Sequence, residues 1–210
     1  MRRCVIFTAY NQYGVNESLE LSSDDFVICA DGGYLYAQEA NIVPDVVIGD
    51  FDSLKTQARE FGNIKKYPAE KDETDTMLCL KYGIEHGYSD FVIAGGMGGR
   101  LDHTVANLQC LSYAVENNKK IWMVDSNNLV TMIAGGSVEI EKKEGFKLSL
   151  LSFTDECRGV SVKGTKYQLN GAVLSSRWPV GISNEFIAPK AEISCSSGKL
   201  LICVSRDGIV

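Results

Sequence analysis

In Gly49-Asp50-Phe51-Asp52-Ser53, two aspartates stand two positions apart, just after the short apolar run Val46–Ile48. Residues i and i+2 of an extended segment point the same way, so both carboxylates can face one ligand. Paired hard oxygens suit Mg2+, which commonly takes one or two carboxylates and completes its shell with water and substrate phosphate. The same residues also read locally, with Asp52 or Ser53 as the N-cap of a helix starting near Leu54. Asp72-Glu73-Thr74-Asp75 supplies further carboxylates after the next apolar segment. There Thr74 or Asp72 can cap the following helix, and capping and metal binding can coexist.

Gly95-Gly96-Met97-Gly98-Gly99-Arg100-Leu101-Asp102-His103 is neither a Walker A loop nor a Gly-x-Gly-x-x-Gly turn. Its physics is nonetheless that of a phosphate loop. Glycines let backbone N–H groups approach a phosphate chain, and the N-terminus of a following helix favours anions. Arg100 adds a planar fork able to clamp phosphate oxygens. The plainer alternative is a tight strand-to-helix turn with a surface arginine. Asp102 either caps the helix or meets metal or substrate. His103 and Asn107 lie four apart on one helical face at the edge of such a site, and a lone histidine there is more often a hydrogen-bonded structural residue than a base. Asp31-Gly32-Gly33 is a weaker signal, since an aspartate cap followed by glycines is a common strand-to-helix turn. Carboxylates and one arginine beside a glycine loop imply a Mg2+-dependent enzyme acting on a nucleoside polyphosphate, where catalysis is mainly positioning and charge neutralisation.

Each of these segments follows a predicted strand. The apolar runs Cys4–Ala9, Phe26–Ala30, Val46–Ile48, Lys65–Tyr67, Phe91–Ala94 and Ile121–Val124 read as strands. Met77, Leu80 and Ile84 give a helical spacing between them, and a second helix from near Asp102 is expected to turn Leu101, Val105, Leu108 and Val115 inward. Strand–helix alternation implies a doubly wound, Rossmann-like, mostly parallel sheet, with ligands at the carboxyl ends of its strands. After about Ser126 the helical period disappears. Leu129–Ile133, Val138–Ile140, Lys147–Phe153, Val160–Val162, Ile193–Cys195 and Leu200–Val204 read as antiparallel strands between turns. The expected fold class is α/β, with an α/β domain over 1–126 followed by an antiparallel β-sandwich over 127–210.

The composition bounds the function. With 210 residues, 45% hydrophobic and 23% charged, the chain reads as globular, and a net charge of -6 argues against a broad nucleic-acid surface. No stretch approaches the ~20 apolar residues that span a bilayer, and the basic start Met1-Arg2-Arg3 leads into too short a run for a signal peptide. The seven cysteines include no C-x-x-C pair. Cys4, Cys29, Cys79, Cys195 and Cys203 sit in apolar runs, which reads as reduced core thiols in a cytoplasmic protein and not as a zinc site.

The four motifs, in this order, resemble the thiamine pyrophosphokinase (thiamine diphosphokinase) family in its bacterial form, over essentially the whole chain. Pro44-Asp45 running into the Asp50 motif and the stretch continuing to Asn107 belong to the match, as do Arg177-Trp178-Pro179 and Gly181-Ile182-Ser183-Asn184-Glu185. The resemblance implies that ATP and thiamine give AMP and thiamine diphosphate, the thiamine hydroxyl attacking the β-phosphorus. By carry-over, Asp50, Asp52 and Asp75 would hold Mg2+, while Gly96, Gly98, Gly99 and Arg100 would cradle the phosphates. Asp102 would contact nucleotide or substrate, and Asp31, Asp72, Thr74 and Asn107 are carried over as binding residues. Domain 1–126 becomes the catalytic, nucleotide-binding domain and 127–210 the thiamine-binding one. The family implies a homodimer with thiamine lying between one subunit's α/β domain and the other's sandwich.

In that setting Trp178 offers an indole face to the cationic thiazolium, and Ser183 and Asn184 offer hydrogen bonds to the aminopyrimidine. The alternative is that Trp178 packs in the sandwich core and Ser183-Asn184 is a turn. No general base stands out; Asp75 or Asp102 could take the proton late. Two rival readings remain at this stage: the same chemistry on another hydroxymethyl acceptor such as a pterin, and a non-catalytic nucleotide or thiamine sensor.

Overall fold

Runs such as Cys4–Phe7 and Val46–Ile48 leave no polar face for solvent, and strands of that kind persist only where a sheet is covered on both sides. The computed structural model, which describes residues 2–11, 19–50, 63–66 and 72–207, builds them into such a sheet. The chain divides into two units, Met1–Ser126 and Asn127–Val210.

In the first unit, parallel strands β1 (Cys4–Phe7), β2 (Phe26–Ala30), β3 (Val46–Gly49), β4 (Ile64–Lys66), β5 (Asp90–Ala94) and β6 (Lys120–Val124) run in the order β4-β3-β2-β1-β5-β6. Cys4, Val5 and Ile6 at its centre are 0% exposed. Helices α1 (Gly33–Glu39), α2 (Asp75–Glu85) and α3 (Leu101–Glu116) complete the unit. α2 packs on β1, β2 and β3 and touches α3, which lies on β6. The order reverses beside β1: the connection after β1 leads to β2 on one side, and that after β5 to β6 on the other. In open α/β sheets this switch point is where ligands bind.

Two expectations are corrected here. The first strand stops at Phe7, not Ala9, and the fourth is Ile64–Lys66, with Tyr67 outside the described residues. The inner face of α3 is Asn107, Cys110, Leu111 and Ala114, whereas Leu101 and Val105 are 75% and 45% exposed. Both sets have helical spacing. Small Cys110 and Ala114 suit close approach to the sheet, and Leu101, in the first turn of α3, is left uncovered.

The second unit holds antiparallel strands β7 (Asn128–Ile133), β8 (Gly136–Glu141), β9 (Lys147–Ser152), β10 (Glu156–Lys163), β11 (Leu169–Ser175), β12 (Lys190–Cys195) and β13 (Leu200–Ser205). They form the ladders β7-β13-β9 and β11-β10-β12-β8. Alternation is clear in β12, where Ala191, Ile193 and Cys195 are buried and Glu192 faces out. Strand β11 is not among the strands read from sequence, since Leu169-Asn170-Gly171 begins it without an apolar run; it is an edge strand burying only Leu174.

All seven cysteines are free, and six are buried. Among the described residues no helix is long and apolar enough to cross a membrane.

Candidate active site

In a parallel sheet with helical crossovers, strand carboxyl ends and helix N-termini share one edge. Asp31 follows β2, Asp50 follows β3, Asp75 opens α2, and Gly95–Arg100 joins β5 to α3. Asp31 holds φ +42, unusual for a side-chain-bearing residue, while its N–H donates to Ile48 O at 2.8 Å. Gly49 is required beside it, since a Cβ there would lie 2.9 Å from Asp31 Cβ. The N-cap of α1 is Gly32 and not Asp31. Thr74 does cap α2, its Oγ1 accepting from Met77 N–H at 3.3 Å.

The glycine loop is held from two directions. Gly95, Gly96, Gly98 and Gly99 have φ of 82, 81, 88 and 61°, a left-handed path that glycine follows without strain. Gly95 N–H donates to Val124 O at 2.8 Å, and Gly96 N–H to Tyr10 O at 2.7 Å. Buried Asn107 donates Nδ2–H to Gly96 O at 2.9 Å, and Thr104 Oγ1 reaches Gly98 O at 3.3 Å. From the loop after β1, Thr8 Oγ1 lies 3.2 Å from both Tyr10 O and Ala94 O. Thr8 and Tyr10 were not singled out by sequence. Their contacts span more than eighty positions, and no local pattern marks them.

Arg100 is the N-cap of α3, in extended conformation and without a side-chain cap, so Asp102 lies in the first turn. The guanidinium grips that carboxylate with both prongs, Nε to Oδ1 at 3.2 Å and Nη2 to Oδ2 at 2.6 Å. Asp102 Oδ1 also accepts His103 N–H at 2.9 Å. Arg100 beside it holds the Asp102 carboxyl below the usual carboxylate range, and the guanidinium pKa is raised in return. Both groups are exposed, so phosphate oxygens have free access to the fork that Asp102 occupies.

Asp50 and Asp75 are half-buried, and Asp72 and Thr74 are exposed. Asp52 lies outside the described residues. Among the described residues no three carboxylate, thiol or imidazole groups gather to hold a metal. The donor chemistry still fits Mg2+, because Asp50 and Asp75 offer hard oxygens at the carboxyl edge of the sheet and Asp52 stands two residues from Asp50 in sequence.

In the second unit Trp178 is 71% exposed, so it does not pack in the sandwich core. It stands beside a small cavity of about 40 Å³ lined by Leu150, Leu174, Ser176 and Val180 among others. Ser183 is exposed, with φ +58, and its N–H donates to Ser149 Oγ at 3.0 Å. Asn184 is fully engaged within the unit. Nδ2 donates to Tyr167 O at 2.7 Å and Thr165 Oγ1 at 3.2 Å, while Oδ1 accepts from the N–H groups of Tyr167 and Glu185, both at 3.0 Å.

Residues 18–123 match the family model described as thiamin pyrophosphokinase, catalytic domain, and 137–200 the one described as thiamin pyrophosphokinase, vitamin B1 binding domain. Thiamine pyrophosphokinase of Bacillus subtilis (strain 168) is 34% identical over 188 residues, covering 86% of this chain and 87% of that protein. The crystal structure of thiamine pyrophosphokinase from Bacillus subtilis superposes with a TM-score of 0.90 at 28% identity, over 99% of this chain and 100% of that one. The thiamin pyrophosphokinase structure from Geobacillus thermodenitrificans gives 0.82 at 26% identity, over 99% of both chains. The match to a vitamin B1 binding domain favours thiamine over a pterin as acceptor.

Proposed function

The chain belongs to the thiamin pyrophosphokinase family of ATP-dependent diphosphotransferases, and from that premise we propose how its residues divide the work. The primary hydroxyl oxygen of thiamine forms a bond to the β-phosphorus of ATP, the bridge between the α- and β-phosphates breaks, and AMP leaves with the bridging oxygen. The β- and γ-phosphates travel together, and the hydroxyl proton passes to a carboxylate or to water.

The glycine loop and the N-terminus of α3 receive the phosphate chain. Gly95 and Gly96 spend their N–H groups on Val124 O and Tyr10 O, so the cradle draws on the backbone N–H groups from Met97 to Gly99, and Arg100 exchanges Asp102 for phosphate oxygens. Once Arg100 turns to the phosphates, Asp102 is released from that pair, and Asp102 or Asp75 takes the late proton. Asp50, Asp52 and Asp75 would hold Mg2+, which when bound neutralises charge on the phosphates. Asp31, Asp72 and Thr74 line the same edge. What carries this reading is the glycine loop, fixed by Asn107 and Tyr10 O at the switch point of the sheet, running into α3 with Arg100 at its cap.

Thiamine's cationic ring stacks on Trp178, Ser183 hydrogen-bonds its aminopyrimidine, and Asn184 shapes that segment. The site is shared across a homodimer, one subunit's α/β domain facing the other's Trp178, whose exposed indole supports this. The free thiols suit the reducing cytoplasm. Mixing Arg100→Ala and Trp178→Ala subunits tests the shared site. With thiamine well below its KM, random re-pairing adds up to about one quarter of wild-type activity to the mean of the two parents if each site draws on two subunits, and adds nothing if each lies within one.

A further inference from the structure

We propose that Tyr10, outside every motif that marks the site, is a positioning residue for the transfer: it holds the glycine loop in the form that receives the triphosphate. This rests on the reading of that loop as the phosphate cradle. The loops after β1 and β5 flank the switch point of the sheet, and Tyr10, with Thr8 and Asn11, carries the first against the second.

The contact is made at both ends of the loop. At the start, Tyr10 O accepts Gly96 N–H at 2.7 Å, and a Cβ on Gly95 would lie 2.5 Å from the same oxygen. At the end, a Cβ on Gly99 would lie 2.3 Å from both Cε2 and Cζ of Tyr10 and 2.8 Å from its Oη. The ring therefore lies flush on the Gly99 α-carbon, immediately before Arg100. Thr8, 4% exposed, braces the Tyr10 carbonyl from beneath.

Four glycines with φ between 61 and 88° would wander widely in a free segment, and a loop ordered only on binding gives up affinity for its ligand. The ring removes that freedom at Gly99 before ATP arrives. The backbone contact survives any substitution at position 10, so the ring is the testable part.

The experiment is equilibrium binding of ATP with Mg2+, with KM for each substrate and thermal unfolding, on the full chain. Tyr10→Ala is expected to weaken ATP binding roughly 5- to 30-fold, the equivalent of ordering one backbone residue, and to leave KM for thiamine unchanged. Tyr10→Phe restores most of the affinity, because it keeps the ring carbons that lie nearest Gly99. Gly99→Ala costs less ATP affinity in the Tyr10→Ala background than in wild type, since the atom it strikes is gone. If Tyr10→Ala does not fold, Tyr10→Leu makes the same comparison. Wild-type ATP affinity in the folded ring-deleted variant, or additive effects in the double variant, would overturn this role alone. Failure of the unsubstituted protein to bind ATP would remove the cradle and this role with it.

Discussion

Asn107, on α3, donates its side-chain amide to the carbonyl of Gly96, 2.9 Å away and eleven residues earlier in the chain. The helix that offers its N-terminus to an anion thus also clamps the turn that leads into it. A Cβ on Gly96 would lie 2.7 Å from Asn107 Nδ2, so a side chain at position 96 would push the clamp away. Asn107→Ala leaves a buried carbonyl without its donor, a loss of about 1–3 kcal/mol, and Asn107→Asp sets an acceptor against it. Both variants are expected to melt below wild type and to lose affinity for ATP more than for thiamine. Thermal unfolding paired with the two KM values checks this, and a wild-type melting temperature in Asn107→Ala would contradict it.

Trp178 is exposed, so its removal is expected to leave stability unchanged while weakening thiamine binding. Trp178→Ala should raise KM for thiamine roughly 2- to 30-fold, the span of about 0.5–2 kcal/mol for a cation over an indole. Trp178→Phe should recover part of it, and KM for ATP should not move in either variant.

Arg100 and Asp102 are 74% and 64% exposed along their side chains, so the fold does not depend on their pairing. Arg100→Ala is expected to fold normally and to lower kcat/KM for ATP roughly 10²- to 10³-fold, the scale of removing one donor from developing charge. Arg100→Lys keeps the charge but not the fork, and should recover only a minor part. Steady-state kinetics at fixed Mg2+ reads both.

Burial pushes the thiols of Cys29 and Cys110 up to about 12 and that of Cys203 up to about 11. The folded chain keeps these protons where an unfolded chain releases them, near pH 8.5. Their contribution to stability is complete below that pH and is lost as pH rises through 9 toward 12. Urea midpoints measured from pH 8 to 11 should fall, and a Cys29→Ala, Cys110→Ala double variant should flatten the decline. A thiol reagent at pH 8 should react with all seven cysteines in urea and with at most Cys203 in the native protein.

What was legible in the sequence was what local physics dictates. Uninterrupted runs such as Phe26–Ala30 leave no choice but a buried strand, and four glycines before Arg100 leave few choices but a tight turn into a helix. The segments at the carboxyl edge were therefore readable before any coordinates. The misreadings share a cause: they depend on what lies across the core. Leu101 and Val105 have helical spacing as good as that of Asn107, Cys110, Leu111 and Ala114, and only the sheet beneath decides which stripe turns inward. Strand β11 carries Asn170-Gly171 and buries one large side chain, so it pairs because β10 is there and not because its own pattern demands it. Thr8 and Tyr10 matter through contacts with Ala94, Gly96 and Gly99, far along the chain.

The central claim is that a diphosphate moves as one unit from ATP to thiamine at the carboxyl edge of the parallel sheet. Its most direct test is incubation of the purified protein with thiamine, Mg2+ and ATP labelled with 32P at the β-phosphorus, followed by separation of nucleotides and thiamine esters. The account predicts unlabelled AMP and labelled thiamine diphosphate in equal amounts, with both products lost in Asp50→Asn. Labelled ADP together with thiamine monophosphate would contradict it.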